Sequence, residues 1–224
     1  MTSQFNIQAD DIGAYARQVL ARQGVDPDTQ PTAEYTIADH LTEAYRAKLE
    51  SLTKAMFRDK KPTEPAVVEW MRAFVADRAT CPNLLLQGPT GSGKTHNGYA
   101  ALWGITLHHA RKGHRFTFAK TTHADFNQAM RPAPDGSHLD TLAEFQEVDL
   151  LLFDDLGAGQ MTDWSTDTLH RLVDERWAEQ RPMIVTTNLT APEMRNVLND
   201  RVVSRLLHST QVPLEDVDHR RIQP

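Results

Sequence analysis

The chain has 224 residues, of which 40% are hydrophobic and 24% are charged, which suffices for one large domain or for one domain with a small appendage. Its formal net charge of −6 argues against a protein whose main task is to coat nucleic acid, so any nucleic-acid contact is expected from a local patch. The single cysteine, Cys81, excludes an internal disulfide and a zinc site of four cysteines. No apolar stretch approaches the ~20 residues of a membrane span, and residues 1–11 lack the features of a secretory signal, which predicts a cytoplasmic protein.

Residues 1–62 are predicted to form a small helical domain. Apolar side chains recur at helical spacing in residues 10–23 and again in residues 36–57, and Gly24 ends the first of these patterns. Because no catalytic constellation lies in this region, it is interpreted either as a partner-docking module or as a structural cap. The charged residues 58–65, which include two prolines, are interpreted as a solvated hinge, which places the domain boundary near residue 62.

From residue 63 onward the pattern changes to strands that alternate with helices, and several of the strands are apolar throughout. This combination predicts an α/β domain over residues 63–224, with a parallel sheet that helices cover on both faces. Strands are predicted over residues 84–87, 116–119, 148–153, 183–187 and 210–213. Helices are predicted over residues 65–78, 94–110, 122–130, 139–145, 164–180, 192–198 and 200–207.

A phosphate-binding loop is predicted between the first strand and the helix that follows it. The sequence there matches the pattern G-x-x-x-x-G-K-[ST] without a mismatch, through Gly88, Pro89, Thr90, Gly91, Ser92, Gly93, Lys94 and Thr95. Glycines allow consecutive backbone N–H groups to converge on phosphate oxygens, and the N-terminus of the helix adds partial positive charge. Lys94 is then expected to reach the β- and γ-phosphates, and Thr95 to offer its hydroxyl to Mg²⁺. The loop therefore predicts a nucleotide site.

Two carboxylates, Asp154 and Asp155, follow the apolar strand over residues 148–153. A charge at the end of a buried strand needs a partner, because removing a carboxylate from water is costly, and a bound Mg²⁺ is such a partner. Asp154 is expected to bind the metal directly or through water, and Asp155 to orient or deprotonate the attacking water. The alternative is a simple turn after the strand, which the phosphate loop earlier in the chain makes less attractive.

Three further residues are candidates for the same chemistry. Asn188 follows the strand over residues 183–187, and if that strand lies beside the carboxylate strand, Asn188 can hydrogen-bond the γ-phosphate or the attacking water; a helix cap is the alternative. Arg201 and Arg205 stand four residues apart, on one face of a helix. Paired arginines commonly form surface salt bridges, but the strand ends supply no cation for phosphoryl transfer, so one arginine is expected to serve a neighbouring subunit.

The ordered motifs of residues 64–224 resemble the AAA+ ATPases of the DnaC/IstB type, which include the replicative-helicase loaders of bacteria and phages. The resemblance rests on the phosphate loop followed by His96, and on residues 148–157, 186–188, 200–206 and 217–221. It implies a P-loop core with a five-stranded parallel sheet of order 5-1-4-3-2, without a lid domain. It also implies ATP and Mg²⁺ as ligands, His96 beside the nucleotide, and Arg205 as the arginine finger, with Arg201 as second choice.

The resemblance further implies partners and a function. The N-terminal domain would bind a hexameric, DnaB-like replicative helicase, and the helix over residues 121–130, flanked by Lys120 and Arg131, would line a path for single-stranded DNA. The chain would form homo-oligomers on binding ATP or DNA, load the helicase, and release it by slow hydrolysis. Two alternatives remain open: an IstB-like transposition helper that binds a transposase and duplex DNA, and an adaptor that uses ATP as a structural ligand.

Two departures from the family pattern are expected to slow hydrolysis without preventing nucleotide binding. Asp155 stands where the family more often has Glu, whose side chain is one methylene longer. Asn97 and Gly98 replace the usual Leu-Ala after the phosphate loop, and glycine inside a helix costs about 1 kcal/mol relative to alanine.

Overall fold

The computed structural model describes residues 36–158 and 163–215, so the predicted helix over residues 10–23 and the basic tail at residues 217–221 lie outside the described residues. The helices in these ranges are α1 Ile37–Leu52, α2 Pro65–Ala76, α3 Lys94–Arg111, α4 His123–Ala129, α5 Ser137–Glu147, α6 Asp163–Ala178, α7 Ala191–Val197 and α8 Asp200–Leu207. A 3-10 turn, Ala55–Phe57, follows α1. The strands are β1 Leu84–Gln87, β2 Phe118–Thr122, β3 Leu150–Leu156, β4 Met183–Thr187 and β5 Thr210–Pro213.

The five strands form one parallel sheet in the order β2-β3-β4-β1-β5, which confirms the predicted order 5-1-4-3-2 read from the other edge. Next to the edge strand β5, Leu84 of β1 lies between Ile184 of β4 and Thr210 of β5. The carboxyl ends of parallel strands meet at one edge of a sheet. The loop after β1 and the polar residues that end β3 and β4 therefore share that edge.

Helices cover both faces of the sheet. Successive side chains on a strand point to opposite faces, so Leu85 packs in the cluster formed with α4 to α8, whereas Leu84 and Leu86 pack with α1, α2 and α3. Burial on both faces is the reason why β1 and the first halves of β3 and β4 are apolar, and the two covered faces confirm the predicted α/β class.

Helix α1 packs against this core. Leu49 is fully buried in the cluster that contains α2 and α3, and the Tyr45 hydroxyl accepts a hydrogen bond of 2.8 Å from the backbone N–H of Phe116. Just after α1, Thr53 Oγ1 accepts a hydrogen bond of 3.1 Å from the indole of Trp103. The described residues from Ala38 onward belong to one compact unit. The predicted boundary near residue 62 falls inside this unit, and the role of residues 1–62 as a partner-binding domain stays a prediction.

Strand β2 begins later than predicted because two backbone N–H groups bond to side chains instead of to a neighbouring strand. Besides the bond from Phe116 to Tyr45, the N–H of Thr117 donates to Asp149 Oδ2 over 2.8 Å. The ladder with β3 starts only at Phe118. The helix predicted after this strand is confirmed as α4, whose first turn is capped by the Thr122 hydroxyl.

A β-bulge interrupts the pairing of β3 with β4 at the carboxyl edge. Phe153 lies opposite Val185 and Leu156 opposite Thr187, so that two residues of β3, Asp154 and Asp155, face the single position 186 of β4. Asp155 has a φ of 59°, in the left-handed region that side chains other than glycine rarely adopt. The bulge also extends β3 past the predicted end at Phe153.

Helix α3 lies close to the sheet at Gly98. A Cβ atom at this position would stand 3.1 Å from Leu152 Cδ1 and 3.2 Å from Thr186 Cγ2, closer than ordinary van der Waals contact. The glycine therefore weakens helix propensity but permits close packing beside the carboxyl edge.

The docking of α1 can be tested with Tyr45→Phe. The substitution leaves the buried N–H of Phe116 without an acceptor, so the free energy of unfolding should fall by about 1–2 kcal/mol in urea denaturation. Tyr99→Phe is the matched control, because the Tyr99 hydroxyl makes no hydrogen bond within the described ranges. Equal, small effects of the two substitutions would show that α1 does not dock in this way.

Candidate nucleotide-binding site

The phosphate loop joins β1 to α3 at the carboxyl edge of the sheet. Gly91 and Gly93 both have a φ of 91°, which strains any residue with a side chain. At Gly88 a Cβ atom would lie 2.6 Å from the carbonyl oxygen of Leu214, too close for any other residue. The glycine pattern of the sequence is therefore required by the backbone of the loop.

The ammonium group of Lys94 is held inside this loop. The side chain is 6% exposed, and Nζ donates to the carbonyl oxygens of Gly88 (2.7 Å) and Pro89 (2.5 Å). It also lies 3.4 Å from Ser92 Oγ. The positive charge of Lys94 thus lies inside the phosphate loop, beside the backbone N–H groups. On nucleotide binding, phosphate oxygens could replace the two carbonyl oxygens as hydrogen-bond acceptors for the ammonium group.

Asp154 is a buried carboxylate surrounded by hydroxyl groups. Its side chain is 7% exposed, and Oδ1 accepts hydrogen bonds from Thr186 Oγ1 (2.6 Å) and Thr95 Oγ1 (3.1 Å). Burial raises the pKa of Asp154, the two hydroxyl donors oppose this shift, and the nearby charge of Asp155 adds to it. The ionised form consequently lacks a full counter-charge, which a cation would supply.

These oxygens fit Mg²⁺. The structure brings Thr95 and Asp154 together, as the prediction that both bind the metal requires. Within the described residues no group of three or more His, Cys, Asp or Glu side chains could hold a metal by itself. Mg²⁺ is typically bound through one or two protein oxygens together with phosphate and water oxygens, which is the donor set offered here.

Asp155 and Asn188 lie in contact on the same edge. Asn188 Nδ2 donates to Asp155 Oδ1 over 3.1 Å, and the backbone N–H of Asp155 donates to Thr186 Oγ1 over 2.8 Å. The cap of α7 is Thr190, whose hydroxyl and Glu193 form a capping box, so Asn188 is not the helix cap. The predicted proximity of Asn188 to the acidic pair is therefore present.

Thr186 is the residue of this site that the sequence interpretation missed. Its buried hydroxyl donates to Asp154 and accepts from the N–H of Asp155, so one oxygen links both acidic residues. The only signal in the sequence is its place in the triplet before Asn188. The β-bulge that brings Asp154 and Asp155 to Thr186 has no signal in the sequence.

His96, which the family resemblance places beside the nucleotide, contacts a different part of the chain. Its Nε2 lies 2.9 Å from the carbonyl oxygen of Lys61. A contribution of His96 to nucleotide binding stays a prediction.

Asn97 is fully buried, and its amide group makes four hydrogen bonds. Oδ1 accepts from the N–H groups of Thr63 (2.9 Å) and Glu64 (3.2 Å), and Nδ2 donates to Thr63 Oγ1 (2.9 Å) and to the Gly93 carbonyl (3.1 Å). The leucine that is usual in the family could make none of these bonds. The departure at residue 97 therefore ties residues 63–64 to the phosphate loop.

His123, the first residue of α4, is a buried imidazole behind the acidic pair. Its Nδ1 lies 3.4 Å from the N–H of Gly157, and within the described ranges Nε2 has no hydrogen-bond partner. Burial lowers the pKa of His123, although the charge of Asp155 opposes the shift, so the ring is neutral at physiological pH. It adds no positive charge to the site.

The two candidate arginines lie on α8. Arg205 forms an ion pair with Asp174 of α6, which also lies 3.2 Å from His170 Nε2. Arg201 is exposed, and both arginines line a cavity of about 300 Å³ together with Trp177, Ser204 and His208. Within the described residues, neither guanidinium contacts the phosphate loop or the acidic pair. The role of either arginine at the nucleotide of a neighbouring subunit stays a prediction.

The sequence profile of the family described as IstB-like ATP binding protein matches residues 36–221. An insertion-sequence ATP-binding protein of Sinorhizobium fredii is 30% identical over 215 residues, which span 93% of the chain and 70% of the relative. An ATP-binding protein in an insertion sequence of Mycobacterium tuberculosis is 28% identical over 161 residues, which span 70% of the chain and 55% of the relative.

A crystal structure of the DnaC helicase loader has a similar fold. It is 20% identical, with a TM-score of 0.57 over 75% of this chain and 98% of that one. The described helices include none that is long and apolar enough for a transmembrane span.

Asp154→Asn tests the buried carboxylate. Because burial raises the pKa of Asp154, its ionised form destabilises the fold above that pKa, and the cost fades as the pH falls toward the ordinary value of 3.8. The substitution should therefore raise the free energy of unfolding at neutral pH and lose this advantage in acid. Mg²⁺-dependent ATP hydrolysis should fall on the order of a hundredfold.

Asp125→Asn is the control with the opposite sign. A hydrogen bond with the Thr122 side chain lowers the pKa of Asp125, so this substitution should reduce stability at neutral pH and leave hydrolysis unchanged. If both substitutions shift stability in the same direction, the environment described for Asp154 is wrong.

Proposed function

Since the chain belongs to the family of IstB-like ATP binding proteins, we propose that it is an AAA+ ATPase that loads a hexameric replicative helicase onto DNA, with ATP as its timing switch. The main support for an ATPase activity is the continuous series of hydrogen bonds that runs from Thr95 through Asp154, Thr186 and Asp155 to Asn188. It puts a candidate metal ligand and a candidate water-activating carboxylate next to a phosphate loop.

Each residue of the site has a distinct task in this proposal. The loop N–H groups and Lys94 bind the phosphates, and Thr95 and Asp154 hold the metal, which when bound neutralises charge that develops on the phosphate oxygens. Asp155 orients the attacking water and accepts its proton, and Asn188 fixes the position of that carboxylate.

Slow hydrolysis follows from the position of Asp155. The residue is partly exposed, has a left-handed backbone and is one methylene shorter than glutamate, so its reach toward the γ-phosphate is limited. A slow step suits a switch, because the ATP-bound assembly then lasts long enough to deliver a partner.

Assembly would complete the site through Arg205. In the free subunit this guanidinium is paired with Asp174, and both side chains are partly exposed, at 25% and 31%. Ion pairs of this exposure contribute at most about 1 kcal/mol, so the triphosphate of a neighbouring subunit could compete for the arginine. Arg205 would then stabilise charge in the transition state across the interface, with Arg201 as second choice.

The partners in this proposal are the helicase, bound through the N-terminal residues, and single-stranded DNA. The fold similarity to the DnaC helicase loader supports the first partner. Helix α4 is the element expected to line the DNA path. Of the cations that flank it, Arg131 is exposed, whereas Lys120 is paired with Asp125 over 3.4 Å.

A second candidate function is supported by the relatives. Two curated relatives are ATP-binding proteins of insertion sequences, and one of them is 30% identical over 93% of the chain. The same ATPase would then act as a transposition helper that delivers a transposase to duplex DNA. The site chemistry is identical in both functions, and the partner separates them.

Mixing two inactive variants tests the arginine finger. Arg205→Ala should lower ATP hydrolysis by on the order of a thousandfold with little change in ATP affinity, because the arginine acts only across the interface. Lys94→Ala should abolish nucleotide-dependent assembly of the pure variant. In a mixture, Lys94→Ala subunits can offer an intact Arg205 to the nucleotide of Arg205→Ala subunits, so activity should return.

Arg195→Ala is the matched control, since this exposed arginine lies on the neighbouring helix α7 and should have no effect. A mixture that recovers no activity would contradict a finger that acts between subunits.

Co-purification of the full chain tests the partner. With ATP, and not with ADP, the chain should retain the replicative helicase of its source organism, and single-stranded DNA should increase ATP turnover. Retention of a transposase instead would favour the transposition helper. Turnover no greater than that of Lys94→Ala, with helicase and single-stranded DNA both present, would leave an ATP-binding adaptor.

A further inference from the structure

We infer that residues 46–61, named here the basic segment, form a surface that binds the phosphate backbone of nucleic acid. The segment contains six basic residues, Arg46, Lys48, Lys54, Arg58, Lys60 and Lys61, and only two acidic ones, Glu50 and Asp59. Its net charge is +4 in a chain of −6, so the other residues together carry −10. An acidic protein that approaches a polyanion needs such a local concentration of positive charge.

The basic segment is anchored to the rest of the fold by specific contacts. It comprises the end of α1, the 3-10 turn and the residues that follow up to Lys61. The carbonyl oxygen of Lys61 lies within hydrogen-bond distance of His96, and Asn97 bonds to the nearby Thr63. Phe57 stacks on Tyr99 of α3, with ring centroids 5.4 Å apart and planes 6° from parallel. Charges on such a surface need little ordering when a ligand binds.

Half of the cations remain available for a ligand, since Lys48 Nζ already lies 4.8 Å from the centre of the Phe118 ring. Arg46 is paired with Asp59 over 3.5 Å, and Arg58 Nε donates to the carbonyl of Thr53. Lys54, Lys60 and Lys61 are exposed and form no ion pair with any residue in the described ranges. By contrast, Lys120 beside α4 is already paired and largely buried, with 17% of its side chain exposed.

The composition of the surface favours phosphate over an acidic protein. Lysine is depleted at protein–protein interfaces, whereas it binds phosphate well as a hydrated point charge. Four of the six cations are lysines, and three of these have no other partner within the described ranges. A diffuse phosphate backbone needs no directional pairing, so such lysines suit it.

The surface is also connected to the nucleotide site. His96 and Asn97 follow Thr95 directly in the first turn of α3, and they hold residues 61–64 by hydrogen bonds. Asn97 reaches the last glycine of the phosphate loop through Gly93 O. The C-terminal end of the basic segment is therefore anchored beside the phosphate loop. This inference rests on the proposed DNA-binding function and assigns it a surface.

The test is the salt dependence of DNA binding by the full chain with ATP and Mg²⁺. The variant Lys54→Gln/Lys60→Gln/Lys61→Gln removes three charges from the segment. The control Arg111→Gln/Lys112→Gln/Arg115→Gln removes three exposed charges near the end of α3. Fluorescence anisotropy with a labelled single-stranded oligonucleotide, its duplex and polyglutamate measures each affinity over a series of salt concentrations.

The segment variant should bind single-stranded DNA at least about tenfold more weakly at low salt, with a salt slope smaller by about 2, because each lost phosphate contact on a single strand contributes ~0.7. The control triple should match the unmodified chain, and ATP affinity should be unchanged in both variants. An unchanged slope in the segment variant, or an equal loss in the control, overturns the inference.

Two further outcomes separate the alternatives. If polyglutamate binding falls as much as DNA binding, the surface recognises acidic protein and the nucleic-acid assignment is wrong. If the unmodified chain binds neither DNA form in any nucleotide state, the DNA-binding part of the proposed function fails together with this inference.

Discussion

The buried carboxylate of Asp154 is the constraint on which the site depends. It is held by two hydroxyl donors, from Thr95 and Thr186, and burial raises its pKa because these donors do not replace a counter-charge. A cation would remove this cost, and a nucleotide in the phosphate loop would bring further oxygens to hold that cation. The β3–β4 bulge then sets Asp155 beside Thr186, so the candidate metal ligand and the candidate water-activating carboxylate share one hydrogen-bonding partner.

Helix α3 connects this chemistry to the rest of the protein. Its first turn supplies Lys94 and Thr95 to the site, while His96 and Asn97 hold residues 61–64. Its middle lies close against the sheet at Gly98 and also supports α1 through Trp103. Helix α3 therefore joins the phosphate loop to both the basic segment and α1. A loader or a transposition helper would need such a connection, since either must report its nucleotide state to a partner.

The parts of the site that depend on a contiguous pattern were predictable from the sequence, and those that depend on contacts between distant residues were not. The loop motif and the apolar strands indicated a nucleotide site at the carboxyl edge of a parallel sheet, and the strand order followed from the family resemblance. The bulge at Asp155 has no local signal, because it depends on how β3 pairs with β4. The role of Asn97 was hidden for the same reason, since its partners Thr63 and Glu64 lie more than thirty positions earlier. The pairing of Arg205 with Asp174 likewise joins two separate helices.

Binding of Mg²⁺ and ATP at the Asp154 carboxylate can be measured by calorimetric titration of the folded chain with ATP, with and without Mg²⁺ and in buffers of different ionisation enthalpy. A metal that binds the carboxylate displaces whatever proton is bound there. We expect tighter binding with Mg²⁺ and a proton release that grows as the pH falls toward the raised pKa of Asp154. Equal heats with and without Mg²⁺, in a chain shown to be folded, would contradict this expectation.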